Sequence, residues 1–222
     1  MTDGGLSTCA ISDVLDGLGE PNRVLDTRLR RLAGGFGMLV GTALTVSWVT
    51  VRKGERITAP SPSTWAEVRD FLLPGVTAAP GQVYVAGAGD LITHAALAGG
   101  LSLAYLGGQL GFAGLVLGGA IRDRTVVESS DVPVVATNFT PVDTQGAFRV
   151  HTVGESCLIR DVFIRTGDWI FSDGDGTVAV PARLVEEVLS RATEVDRREQ
   201  KALHALRSGR SLPELIDDTG HI

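Results

Sequence analysis

The run GLVLGGAIRD at residues 114–123 ends an apolar, strand-like stretch in two glycines and then presents Arg122 beside Asp123. Ligands of α/β sheets gather at the carboxyl ends of strands, which is where this pair would stand. An arginine there can grip a carboxylate through two parallel hydrogen bonds, and a neighbouring aspartate can hold a hard divalent cation through oxygen. By itself the dipeptide is also an ordinary surface ion pair after a strand. Other residues offer less. Gly87 and Gly89 lack the third glycine of a dinucleotide fingerprint and read as a strand-end turn. Residues 173–176 (DGDG) lack the distal glutamate of a calcium loop and read as a hairpin turn. His94 could donate to a ligand or be structural, and His151, His204 and His221 show no metal-ligand spacing.

These residues need a scaffold, and the hydrophobic periodicity supplies one. Residues 7–18 fit a short amphipathic helix, capped by Ser7 or Thr8 and stopped by Gly19. Residues 36–51 are dense in β-branched and aromatic side chains and predict one long strand or a bent pair, with Gly41 as the expected bend. Four prolines punctuate the next segment and leave room for a helix near 64–73. A strand at 82–86, a helix rich in alanine and leucine within 91–110 and a strand at 114–117 then form a strand–helix–strand unit, the building block of parallel sheets. A short helix near 125–129 and a strand at 133–137 follow. Beyond Pro141, short strands at 148–153, 157–164, 169–172 and 177–180 predict antiparallel pairing, and a helix runs from Pro181 to about Ser208. The fold class is therefore α/β, a layered α/β/α sandwich with a parallel-strand core, a β-rich C-terminal half and a long C-terminal helix. A single domain over residues 1–222, with a helical tail from about 181, is expected.

Composition narrows the function. The chain has 222 residues, 44% of them hydrophobic, a formal net charge of -6 and no lysine or arginine stripe, which argues against nucleic acid as a partner. No apolar stretch approaches the length of a membrane span and no signal peptide opens the chain, so a cytoplasmic protein is expected. Cys9 and Cys157 read as reduced thiols, with Cys157 a core residue.

Several segments, in order, resemble the class II 4-hydroxy-4-methyl-2-oxoglutarate aldolase family, whose sequences also resemble the regulator of ribonuclease E activity A. They are AISDVLDGLG at 10–19, GTALT at 41–45, PGQVYVAGAGD at 80–90, GGAIRD at 118–123, TGDWI at 166–170 and DGDGTVAVP at 173–181, with Glu199 and Gly209 in the closing helix. The resemblance implies a homotrimer or hexamer with sites near subunit boundaries and a Mg2+ or Mn2+ requirement. It implies that Asp123 is the direct metal ligand, and Glu199 is either a carboxylate reaching through water from a neighbouring subunit or a solvated helix residue. Arg122 would bind a small 2-keto acid and its enolate, and the backbone amides of Gly100, Leu101, Ser102 and Leu103 would receive the substrate. The implied activity is retro-aldol release of pyruvate from a 4-hydroxy-2-oxo acid, or decarboxylation of oxaloacetate. One position departs from the pattern: twenty-one residues before Arg122 the family aldolases carry an acid, and here stands Leu101. That departure keeps open a non-catalytic, protein-binding regulator or a member with altered substrate.

Overall fold

The computed structural model describes residues 6–35, 37–51 and 62–219. In chain order the elements are α1 (Thr8–Gly17), β1 (Arg30–Ala33), β2 (Leu39–Thr50), α2 (Pro62–Val68), β3 (Gln82–Gly87), β4 (Ile92–Ala98) and α3 (Gly100–Leu103). There follow β5 (Gly114–Leu117), β6 (Gly119–Ile121), α4 (Arg124–Glu128), β7 (Val134–Ala136), β8 (Phe148–Val153), β9 (Ser156–Ile159) and β10 (Val162–Arg165). The chain continues through β11 (Trp169–Ser172), β12 (Thr177–Val180), α5 (Val185–Arg207) and α6 (Leu212–Thr219).

The main sheet has the order β1-β7-β5-β3-β2-β11-β12, with β8 also pairing β2. Its centre, β2-β3-β5-β7, is parallel. Parallel strands covered on both faces carry near-continuous apolar sequence, and β3 and β5 are buried almost throughout. Antiparallel strands are added by β1 at one edge and, as the short alternating strands of the C-terminal half predict, by β8, β11 and β12. The fold is thus the expected mixed α/β architecture with a long C-terminal helix. Among the described residues no helix is long and apolar enough to cross a membrane.

Three local expectations are corrected. The helix within 91–110 occupies only its second half, because residues 92–98 form β4, which pairs in parallel with β6 as a small second sheet. The segment 157–164 is not one strand but the hairpin β9-β10, turned at Arg160, whose φ is 53°. Gly41 marks a close approach instead of a bend: a Cβ there would lie 2.6 Å from the Gly81 carbonyl oxygen, and the irregularity in β2 falls at Ser47/Trp48. Phe36, the predicted start of β2, lies outside the described residues.

Helix α1 is tied down at its start. Ser7 Oγ accepts the Ala10 amide, while the Thr8 amide and hydroxyl donate to the two Asp173 carboxylate oxygens at 2.8 and 2.6 Å. Its apolar face, Ala10, Ile11, Val14 and Leu15, packs with Phe171, Val178 and Val180 and with Val188 and Ala192 of α5. Burial raises the Asp173 pKa, but the hydrogen bonds from Thr8, Asp175 and Gly176 outweigh it and hold the carboxyl below its ordinary value. A depressed carboxyl contributes stability above its unfolded pKa and loses it as pH falls through the folded value. Asp173→Asn should therefore cost about 1 kcal/mol near neutrality. The difference from the parent should close in thermal melts as pH is lowered through and beyond the ordinary aspartate range. An undiminished gap in acid would remove the carboxylate from this role.

Candidate functional site

The path that builds the site starts at Gly118, where the chain leaves the main sheet at the end of β5 and enters the small one as β6. Gly119 is required there by close approach: a Cβ would sit 2.5 Å from the Ile92 carbonyl oxygen of the paired β4. The Arg122 amide still bonds the Ala98 carbonyl at the end of β4, so the backbone of the Arg-Asp pair is held by that strand. The chain then turns sharply. Asp123 adopts φ 63° and ψ 49° at the start of α4, a left-handed conformation that aspartate and asparagine tolerate better than most residues.

Beside this turn stands the start of α3. Asp123 Oδ2 accepts the Gly100 amide at 2.8 Å, and Ser102 Oγ accepts the Gly99 amide at 2.8 Å while donating to the Gly99 carbonyl at 2.9 Å. The Leu103 amide closes the first helical bond onto Gly99. The amides of Leu101 and Ser102, in the first turn, have no acceptor within a right-handed helix. A Cβ at Gly99 would press on the pair itself, lying 2.7 Å from Asp123 Oδ2 and 2.9 Å from Arg122 Cγ.

The Arg122 guanidinium donates from Nη1 to Asp143 Oδ2 at 2.7 Å, and its Nε lies 3.8 Å from Asp123 Oδ2. The three side chains are 38–46% exposed, so the cluster opens to solvent. A groove of about 380 Å³ runs beside it, lined by Arg122, Asp123, Arg124, Phe139, Thr140 and Pro141. Arg124 stacks over the Phe139 ring at 5.4 Å and pairs with Glu128, which gives one wall a fixed cation on an aromatic face.

The structure therefore brings together Arg122, Asp123 and the Gly100–Leu103 turn. Leu101 projects from this turn with 89% of its surface exposed. Glu199 is exposed on α5 and makes none of the hydrogen bonds of the cluster. Asp143 was missed in the sequence, since it follows a proline-bearing loop with no motif around it, and only its bridge to Ala96 of β4 carries it to Arg122. His94 is exposed, its ring against Phe148 at 5.7 Å. Residues 173–176 form the β11-β12 turn, and Gly89 takes a positive φ in the turn after β3. Cys157 is buried, its thiol pushed up to about 12 by burial, as a core residue should be.

Fold and site together define an α/β protein with an arginine–aspartate pair at the mouth of a partly parallel sheet system. Residues 8–179 match the family model for RraA-like proteins, Aldolase/RraA, and the chain belongs to that family. It is 26% identical to Protein DlpA of Legionella pneumophila over 96% of its own length but spans only 32% of that protein. It is 29% identical over 84% of its length to a Halalkalibacterium halodurans protein provisionally named 4-hydroxy-4-methyl-2-oxoglutarate aldolase, covering 78% of that protein. The structure of Streptomyces coelicolor RraAS2, described as an unusual member of the RNase ES inhibitor RraA protein family, shares the fold. It superimposes with a TM-score of 0.69 at 24% identity, covering 92% of this chain and 94% of that one.

Proposed function

We propose that the protein is a divalent-metal-dependent lyase acting on a small 2-keto acid, by retro-aldol release of pyruvate or by decarboxylation. The observation that carries this reading is the juxtaposition of the Arg122 guanidinium with the Asp123 carboxylate beside an open groove. Relatives named as aldolases support the reaction class.

The donor set restricts the metal. Among the described residues no group of three or more acidic, histidine or cysteine side chains could cage an ion. Asp123 Oδ2 is engaged by the Gly100 amide, and Oδ1 accepts no hydrogen bond among the described residues. One carboxylate with an open oxygen fits Mg2+ or Mn2+, which keep most of their water, and does not fit tetrahedral zinc. When bound, the ion supplies Lewis-acid polarisation of the 2-keto group. Asp123 would hold it, with its carboxylate oriented by the Gly100 amide. Arg122 receives the substrate carboxylate and offsets the negative charge that develops next to it as the carbon–carbon bond breaks. The Leu101 and Ser102 amides, which have no acceptor in the first turn of α3, would meet an anionic substrate oxygen. In a homotrimer or hexamer, Glu199, exposed on α5, would be available to a neighbouring subunit's site.

A binding role without chemistry is favoured by one observation, the highly exposed Leu101 where related aldolases carry an acid. The two readings separate in a pyruvate-release assay over branched 4-hydroxy-2-keto acids and oxaloacetate with Mg2+ or Mn2+. Turnover that needs the metal, and metal affinity that rises when Leu101→Asp restores an acid, supports the lyase. Calorimetry that detects no divalent-metal binding, with no pyruvate from any substrate, leaves the binding protein.

A further inference from the structure

We propose that Asp143 is a positioning residue that decides which edge of the Arg122 guanidinium meets the substrate; this rests on the keto-acid reading above. A guanidinium can grip a carboxylate in parallel fashion through its end edge, Nη1 with Nη2, or through its side edge, Nε with Nη2. Asp143 Oδ2 takes Nη1 at 2.7 Å, so one of the two nitrogens of the end edge is already engaged. Nε lies 3.8 Å from Asp123 Oδ2, outside hydrogen-bonding range. Among the described residues Nη2 has no acceptor. The side edge, Nε with Nη2, is therefore the one left free, and it lies next to the carboxylate that would hold the metal. A 2-keto acid carries its carboxylate and keto oxygen on adjacent carbons, so a carboxylate on that edge sets the keto oxygen toward Asp123.

Asp143 is built to hold this position. Its Oδ1 accepts the Gln145 amide at 3.1 Å. The Ala96 amide bonds the Val142 carbonyl at 2.9 Å, and a β-bridge joins Ala96 to Asp143 itself. The next residue, Thr144, is buried, and its carbonyl accepts the amides of both Ala147 and Phe148. Backbone bonds on both sides thus pin the carboxylate to β4, the strand whose end also holds the Arg122 amide. Arg122 and its anchor are referenced to one strand.

The test compares the parent with Asp143→Ala and Asp143→Asn in the Mn2+-loaded protein. An unanchored Arg122 still attracts a carboxylate but no longer presents one edge, so Asp143→Ala should lower kcat about ten-fold or more while KM moves by less than about three-fold. Asp143→Asn keeps an oxygen for Nη1 and should recover most of the loss. Mn2+ affinity should be unchanged in both. A parent-like kcat in Asp143→Ala, or a fall in Mn2+ affinity in both variants, would overturn the proposal, the latter by making Asp143 a metal ligand. Nitrogen-15 spectra of the Arg122 side chain decide the matter without turnover. Separate, slowly exchanging Nη signals in the parent and Asp143→Asn that merge in Asp143→Ala support the anchor, and an equally mobile guanidinium in all three overturns it. If the parent cleaves no keto acid, the lyase reading fails by itself while the spectra still judge Asp143.

Discussion

Asp123→Asn is expected to lower metal-dependent turnover by a factor on the order of 10³ or more, with the melting temperature held within about 2 °C of the parent. The substitution isolates the charge because the structure lets asparagine do everything else the aspartate does. Asp123 sits at φ 63°, a conformation in which asparagine is as well tolerated as aspartate. The Gly100 amide that donates to Oδ2 would find the asparagine Oδ1 in the same place. The side chain is about half exposed, and its contact with Arg122 is too long for a hydrogen bond, so an ion pair of this kind contributes little to stability. What disappears is the anionic oxygen that a hard cation needs. Turnover and calorimetric Mn2+ titration of the two proteins, alongside their thermal melts, test this directly. Parent-like activity with every keto acid would remove Asp123 from the chemistry.

Where the pattern of side chains reports burial, the sequence was informative about this fold. β3 and β5 are apolar runs bounded by glycine and proline, and they are the buried centre of the sheet. The helical spacing of Val188, Ala192 and Val195 places α5 against α1. β4 was hidden because its sequence, ITHAALA, has the alanine and leucine content of a helix, and residues 100–109 that follow are indeed helical turns. Its strand conformation comes from pairing with β6, a tertiary partner beyond the reach of any local window. The site divides in the same way. Arg122 and Asp123 are adjacent in sequence at the end of an apolar strand, and their place follows from the rule for strand ends. Asp143 reaches them only through hydrogen bonds of its loop to β4, and no spacing in the sequence encodes that. The hydrogen bond from the Gly100 amide to Asp123 is equally silent, since it joins two turns across the start of α3 and α4.

Two glycines near the site look alike in sequence, yet alanine at each should fail in a different way. A Cβ at Gly119 would lie 2.5 Å from the Ile92 carbonyl oxygen and 3.0 Å from the Ile92 Cβ. The backbone of β4 cannot yield without breaking its pairing with β6, so Gly119→Ala should cost about 1–3 kcal/mol of stability. A Cβ at Gly99 meets different neighbours: Asp123 Oδ2 at 2.7 Å, Arg122 Cγ at 2.9 Å and Arg122 Nε at 3.1 Å. All three belong to side chains with room to move toward solvent, and Gly99 itself is in an extended conformation open to alanine. Gly99→Ala should therefore fold with near-parent stability while displacing the two groups the chemistry needs. A shift of about 1 Å in such groups lowers turnover on the order of 10²-fold. Denaturant unfolding and pyruvate-release kinetics on the pair should give opposite profiles, Gly119→Ala losing stability and Gly99→Ala losing activity. A Gly99→Ala protein that keeps parent-like turnover would mean that Arg122 and Asp123 can give way without consequence, and the reaction would have to be carried elsewhere.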